Sequence, residues 1–273
     1  MTDPALLAQM VVLLACVGAF AGVLAGLLGV GGGIVLVPAY FYAFTTLGFA
    51  GPHLMQICLA TSLATIVVTS LRSVSSHNKK GAVEKDILRT WAPGIMAGAV
   101  LGVLVVAQLR TATLQFLFGA LATSVGLYMA FGRAHWRLSE DMPTGIARAL
   151  LSPVVGFLSV IMGVGGGSFG VPLMTLCGQP VHRAVATSAG FGFLIATPAV
   201  LGFLFSGAGD LRPPGTIGSV NIPAFVVTIA MTLITAPLGA QLAHRLDPLR
   251  LRGVFAVFLL IVAGNMIRKA AGW

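Results

Sequence analysis

Residues 29–38 of this chain read Gly-Val-Gly-Gly-Gly-Ile-Val-Leu-Val-Pro, and residues 163–172 read Gly-Val-Gly-Gly-Gly-Ser-Phe-Gly-Val-Pro. Both stretches lie inside apolar sequence, where a cluster of glycines weakens a helix. We call residues 29–33 the first glycine turn and residues 163–167 the second glycine turn. The two copies predict a duplicated protein that is built around two helix breaks.

The composition predicts a membrane protein. Of the 273 residues, 57% are apolar and 8% are charged, and the mean hydropathy is +0.99. Soluble domains carry about 25% charged residues. Several apolar runs, from residues 6–28 to residues 257–267, approach the roughly 20 residues that cross a bilayer. We therefore expect an all-α polytopic protein of a bacterial-type plasma (inner) membrane. Residues 6–28 follow no basic segment and are expected to be retained rather than cleaved as a signal peptide.

The duplication extends beyond the glycines. Pro38 matches Pro172 at an offset of 134 residues, Ala60-Thr-Ser62 matches Ala186-Thr-Ser188 at 126, and Gly81 matches Gly218 at 137. These matches predict a first membrane repeat over residues 1–132, a polar connector over 133–145 and a second repeat over 146–273. Each repeat should contain about five helical segments.

The basic residues predict that the repeats are inverted. Between its third and fourth apolar segments the first half has five basic residues, whereas the second half has only Arg212 there. The excess reverses at the next loop, where Arg110 stands alone in the first half and three arginines stand in the second. By the positive-inside rule, equivalent loops lie on opposite sides and both termini are non-cytoplasmic.

The glycine turns predict an anion site inside the membrane. Only 11 residues, 168–178, separate the second turn from the polar pair Gln179-Pro180, so this arm predicts a re-entrant helix. The arm that begins at Ile34 is longer, and both a re-entrant and a spanning form remain open for it. A helix that resumes at Ile34 or Ser168 directs free N–H groups and a positive dipole end into the membrane centre. Inverted transporters place their substrates at such helix breaks.

Hydroxyl side chains are expected to line the same cavity. They are Ser168 and the two repeat-related pairs, Thr61 with Ser62 and Thr187 with Ser188. The alternative for the glycines is close helix packing, and for the hydroxyls it is a bond to their own helix carbonyls. The spacing does not match the G-x-G-x-x-G pattern of dinucleotide sites.

The remaining polar residues predict neither an enzyme nor a cofactor or metal site. Every Asp and Glu falls in a loop or at a segment end, so no mid-membrane carboxylate offers a proton relay or sodium site. His53 and His182 are either proton carriers or interfacial residues, and Arg183 either anchors a helix end or attracts anions. The net charge of +9 is dispersed at segment ends and is explained by membrane topology without a nucleic-acid partner.

The chain resembles the sulfite exporter TauE/SafE family, also called the toluene-sulfonate uptake permease group. The resemblance covers nearly the whole chain and rests on residues 26–38 with their second-half copy, the two Ala-Thr-Ser triplets, and Gly81 with Gly218. It implies transport of sulfite, thiosulfate or organosulfonates such as sulfoacetate. It also implies substrate-binding roles for the matching positions, to which we add the two residues after the turns. These candidates are Gly31, Gly32, Gly33, Ile34, Thr61, Ser62, Gly165, Gly166, Gly167, Ser168, Thr187 and Ser188.

We expect rocking or gating of the halves around a fixed central site that is exposed alternately to each side. Because Ile34 corresponds to Ser168, the substrate is expected nearer the second turn. Three other functions remain open: transport of a small organic anion without sulfur, membrane thiol redox chemistry, and a scaffold role. The redox function needs matching cysteines in the two halves, and Cys16, Cys58 and Cys177 do not align.

Overall fold

The computed structural model describes residues 4–28, 32–132, 138–207, 209, 211–243 and 248–272. These residues form ten helices and one two-stranded hairpin. The elements are α1 Pro4–Leu28, α2 Gly33–Thr46, α3 Leu54–Lys79, α4 Lys85–Gln108, α5 Thr111–Phe131, α6 Gly145–Met162, α7 Gly167–Leu176, α8 Val181–Phe205, β1 Thr216–Ile217, β2 Val220–Asn221, α9 Ile222–Ala243 and α10 Pro248–Ala270. The prediction of an all-α polytopic membrane protein is confirmed.

The helices fall into long and short classes. Seven described helices are long and apolar enough to cross a membrane, namely α3, α4, α5, α6, α8, α9 and α10. By contrast, α7 has 10 residues and α2 has 14. At about 1.5 Å per residue they extend about 15 Å and 21 Å, less than the hydrocarbon core of about 30 Å. Neither short helix reaches across the membrane alone, including the first, for which the sequence left a full crossing open.

Contacts between helices repeat in the two halves of the chain. Each helix of the first half can be matched with the helix five places later. The contact between α1 and α9 then corresponds to the contact between α6 and α4. In the same way α2 packs on α3 and α7 on α8, while α3 contacts α8 and α5 contacts α10. In the most apolar 18-residue stretch of α3, 78% of the residues are buried, whereas the same measure is 28% to 44% for the other six spans. The central pair is therefore α3 with α8.

The loops gather at two opposite faces. At one face, the Thr111 N–H donates to Pro52 O over 2.8 Å, and the next loop approaches at Leu211, whose oxygen would lie 3.3 Å from a Cβ on Gly51. We call residues 47–53, 109–110 and 211–221 the β face. At the other, the Leu138 N–H donates to Leu176 O over 2.8 Å. We call residues 80–84, 138–144 and 177–183 the connector face.

Glycines allow the outer helix pairs to pack with their backbones close together. A Cβ placed on Gly98 of α4 would overlap the carbonyl oxygen of Pro153 in α6. The repeat-related contact has the same form, since a Cβ on Gly239 of α9 would overlap the carbonyl oxygen of Val23 in α1. Small residues at helix interfaces are the usual means of close packing in lipid.

Replacing Gly98 with alanine should therefore destabilise the protein by about 1–3 kcal/mol, because the added methyl group forces α4 away from α6. Thermal unfolding in detergent measures the effect. Gly264→Ala in α10 is the matched control, because no atom lies within 4 Å of its added methyl group and alanine is the better helix former. Equal melting temperatures for the two variants would contradict the packing role of Gly98.

Candidate functional site

The second glycine turn begins as a helix C-cap. Gly163 has φ of 64°, in the left-handed region, and directly follows α6. Its N–H donates to Val160 O over 3.0 Å, and the Val164 N–H donates to Ser159 O over 2.9 Å. These two bonds form a Schellman motif, which satisfies the last carbonyls of α6 and reverses the chain.

The start of α7 is pressed against α8. A Cβ on Gly166 would overlap the carbonyl oxygen of Ser188 and lie 2.5 Å from Cβ of Phe191. Gly166 has an ordinary φ of −59°, so glycine is required here for close approach and not for backbone conformation. By comparison, Gly165 is less crowded, with Ile66 Cγ2 at 3.2 Å and Gly192 Cα at 3.7 Å from its added Cβ.

The amides that open α7 are free of backbone partners in the described part of the chain. The first helical bond runs from the Gly170 N–H to Gly166 O over 2.6 Å. None of the backbone hydrogen bonds found in the described ranges starts from the N–H groups of residues 166–169. Ser168, which adds a hydroxyl group at this end, is 4% exposed, and its Oγ lacks a hydrogen-bond partner in the same ranges. These donors are available to an anion.

The first glycine turn meets the second. Residues 29–31, which include the candidate Gly31, lie outside the described residues. Gly32 is the N-cap of α2, with φ of 25°, and Gly33 is its first residue. A Cβ on Gly33 would lie 3.0 Å from Gly163 O and 3.1 Å from Val164 Cα. The beginning of α2 thus lies against the second turn, although the two are far apart in sequence.

The serines of the two triplets contact the turns. Ser62 of α3 donates its hydroxyl to Gly163 O over 2.8 Å, a bond between the two halves. Ser188 of α8 lies 3.7 Å from the sulfur of Met174 in α7 and is 1% exposed. The structure therefore places both serines beside the glycine turns, and the Ser62 hydroxyl has a hydrogen-bond partner within the protein.

The threonines of the triplets cap helices in the opposite half. The Oγ1 of Thr61 accepts the Asn221 N–H over 3.0 Å just before α9 begins, and the Oγ1 of Thr187 accepts the Glu84 N–H over 2.9 Å just before α4 begins. Glu84 and Asn221 are themselves repeat-related at the 137-residue offset. Both threonines are fully buried. Their oxygen atoms are thus engaged as acceptors.

Arg183 lies at the connector face and not at the glycine turns. It forms an ion pair with Glu84, and the two side chains are 49% and 29% exposed. The repeat-related positions, Ile57 and Asn221, carry no charge. In this conformation the arginine charge is therefore balanced by a carboxylate of the other half.

Two residues near the turns were missed from the sequence. Ile66 of α3 lies between the turns, because its side chain approaches added Cβ atoms on both Gly33 and Gly165. Gly192 of α8 lies beside Gly166, whose nitrogen would be 3.3 Å from a Cβ on Gly192. Ile66 and Gly192 are repeat-related at the 126-residue offset of the Ala-Thr-Ser triplets, so extending that match by one turn would have identified both.

The other candidates stand away from this centre. His182 is exposed at the connector face, and His53 lies at the β face with a buried Nδ1 that has no partner within the described ranges. Cys58 and Cys177 are buried, and Cys16 is exposed. Burial raises the pKa of the Cys177 thiol, so it stays protonated at neutral pH. No cluster of three metal-ligating side chains occurs among the described residues.

Comparison with known proteins supports the resemblance. The sequence pattern of the family "Sulfite exporter TauE/SafE" matches residues 14–266. A "Probable membrane transporter protein" of Haemophilus influenzae is 33% identical over 254 residues, which cover 93% of this chain and 96% of that protein. A protein of the same description from Methanocaldococcus jannaschii is 28% identical, covering 91% and 95%. No solved structure matches this chain.

Thr187→Val should destabilise the protein by about 1–2 kcal/mol, because it leaves the Glu84 amide at the start of α4 without its acceptor. Thr187→Ser retains the oxygen and should retain most of the stability. Melting temperatures of both variants in detergent measure the difference. An unchanged melting temperature for Thr187→Val would show that the cap contributes nothing.

Proposed function

Because this chain belongs to the sulfite exporter TauE/SafE family of membrane proteins, we propose that it transports sulfur-containing anions across the bilayer. The substrates we propose are sulfite, thiosulfate and organosulfonates such as sulfoacetate. The observation that carries the proposal is the meeting of the two glycine turns, where α2 and α7 both begin against the central helices α3 and α8. The family membership and the curated relatives support the coarser statement that the chain is a membrane transporter.

Two helix N-termini at one place favour an anion. Each carries about half a positive charge from the aligned peptide dipoles, together with up to four free N–H groups. Such a site binds an oxyanion without a buried lysine or arginine, whose charge is costly inside a membrane. We propose that the substrate is bound by the residues of the two turns and by the triplet hydroxyls. They are Gly31, Gly32, Gly33, Ile34, Thr61, Ser62, Gly165, Gly166, Gly167, Ser168, Thr187 and Ser188.

The mechanism we propose is alternating access around this site. The same helix contacts recur in both halves, which supports two repeats of one structure. If the repeats are inverted, exchanging their conformations turns an outward-open protein into an inward-open one. The halves then rock against each other while the anion stays near the midplane. The described carboxylates lie at the connector face or in a first helical turn, so we propose facilitated diffusion or coupling through other groups.

The distribution of positive charge supports an orientation. Of the described basic residues near loops, six lie at or within about one turn of the connector face. They are Lys79, Lys80, Lys85, Arg89, Arg148 and Arg183. At the opposite face are Arg110, Arg212 and the pair Arg268 and Lys269, whose ammonium lies 4.6 Å from the Tyr42 ring centre. We propose that the connector face is cytoplasmic and that both termini are outside, in a bacterial-type inner membrane.

Uptake of labelled sulfite, thiosulfate and sulfoacetate into proteoliposomes tests the proposed function. We expect saturable uptake of at least one sulfur oxyanion and none of acetate. Gly166→Ala should reduce the uptake at least about tenfold, because the added methyl group displaces the start of α7. A loss of about 1.4 kcal/mol in the free energy of anion binding is enough for that factor.

Gly264→Ala is the matched control for the uptake assay, since its methyl group meets no atom within 4 Å. Uptake of acetate as fast as sulfite would replace the sulfur-anion proposal with a general small-anion carrier. Well-folded protein that moves none of these anions would contradict the transport proposal.

Fusion of reporter proteins to the C terminus tests the orientation. Alkaline phosphatase, which folds only outside the cytoplasm, should be active when it is fused after Trp273. Green fluorescent protein fused at the same position should be dark, because it does not fluoresce after export through the general secretory route. A fusion within residues 138–144 should give the opposite pair of results. The reverse pattern at both sites would overturn the orientation.

A further inference from the structure

The two glycine turns differ at three repeat-related positions. In each pair, the residue on the first-turn side is apolar, while its counterpart on the second-turn side has a hydroxyl group or no side chain. The pairs are Ile34 with Ser168, Ile66 with Gly192, and Ala196 with Ser70. Two independent offsets are involved, 134 for the first pair and 126 for the other two, so the three differences do not come from a single misaligned segment.

Ser70 of α3 faces the start of α7 across Gly192. A Cβ on Gly192 would overlap Ser70 Oγ and would lie 3.3 Å from the Gly166 nitrogen. The missing side chain of Gly192 therefore lets the Ser70 hydroxyl and the Gly166 amide approach the same point on α8. This point lies where the central helices α3 and α8 pack together.

Ser70 is buried and has no hydrogen-bond partner among the described residues. It is 8% exposed, yet its hydroxyl does not bond the carbonyl one turn earlier. The neighbouring Thr69 does so, over 3.1 Å to Thr65 O. Ser168, at the same helix start, is 4% exposed and likewise unpartnered. A buried unpaired polar group such as Ser168 Oγ costs about 1–3 kcal/mol, and a second hydroxyl without a partner lies at the same helix start, which indicates a ligand.

The described end of the first turn has no hydroxyl group at the matching positions. Ile66 Cδ1 lies 2.7 Å from the position of a Cβ on Gly33, so a hydrocarbon side chain lies against the beginning of α2. Ile34, the residue that matches Ser168, is 4% exposed. Ala196, which matches Ser70, is fully buried and has no polar group.

We propose that the anion is held on one side of the pseudo-symmetric centre, at the start of α7, and that Ser70 is one of its ligands. The Ser70 and Ser168 hydroxyls and the free amides of α7 donate to the anion oxygens, and Gly192 lets Ser70 approach the start of α7. This inference rests on the proposed function and adds to it a ligand from α3 and a single off-centre site.

The test measures anion affinity apart from stability. Ser70→Ala should raise the KM for uptake, and the dissociation constant in detergent, about tenfold for the sulfur anion that the unaltered protein carries. Its melting temperature without anion should stay unchanged, because the hydroxyl makes no bond within the described chain. Ala196→Ser, which adds a hydroxyl group at the repeat-related position, should leave the KM unchanged.

Gly192 is tested by a pair of variants. Gly192→Ala should abolish uptake, because its methyl group overlaps Ser70 Oγ and approaches the Gly166 amide. In the double variant Ser70→Ala, Gly192→Ala the overlap is gone, since the two Cβ atoms lie 3.4 Å apart. If Gly192 serves to bring Ser70 to the start of α7, the double variant folds and still binds the anion weakly, as Ser70→Ala does. If it serves packing alone, the double variant regains uptake, which would overturn the inference.

The outcomes separate the two proposals. Normal KM and dissociation constant for Ser70→Ala, in a preparation whose unaltered protein carries sulfite, thiosulfate or sulfoacetate, overturn the off-centre site and leave the proposed function standing. Absence of uptake and binding of all three anions by well-folded unaltered protein overturns both.

Discussion

A backbone N–H group that faces hydrocarbon is costly, by several kcal/mol for each unsatisfied group, and the two glycine turns interrupt helices inside a membrane protein. The structure meets this constraint at the second turn by enclosing it in protein. The second turn is buried between α3 and α8, and the Schellman bonds of Gly163 and Val164 satisfy the end of α6. Within the described residues, the amides at the start of α7 have no backbone partner, and an anion is a partner that they suit.

Enclosing the second turn and the starts of the two short helices accounts for the arrangement of the other helices. Because α2 and α7 are too short to cross the membrane, they cannot face lipid over its full thickness. The helices α3 and α8 lie against them at the centre. This explains why α3 is so much more buried than the other spans. The pairs α1–α9 and α4–α6 then pack closely through glycines such as Gly98 and Gly239, which surround the centre with backbone contacts.

Local features of the sequence predicted the helix breaks, the short arm after Ser168 and the apolar spans, because glycine clusters, segment length and hydropathy act within one segment. The triplet serines lie beside the turns, and the expectation that they line a cavity stays a prediction. The bonds of Thr61 to Asn221 and of Ser62 to Gly163 were not predicted, since each joins residues more than 100 positions apart. Ser70 was missed for the same reason, because it belongs to no motif and only the packing of α3 on α8 brings it to the start of α7. Whether the candidate residues bind the substrate stays a prediction.

The crossed threonine caps make the two halves of the chain depend on each other. Thr61 belongs to the first half and caps α9 of the second, while Thr187 belongs to the second and caps α4 of the first. A half-length chain on its own would leave its fourth helix without a cap and its glycine turn without the neighbour that covers it. It would need a second copy of itself to supply both. Each half of the chain thus supplies the cap of the other half's fourth helix, so the two halves are expected to be stable only together.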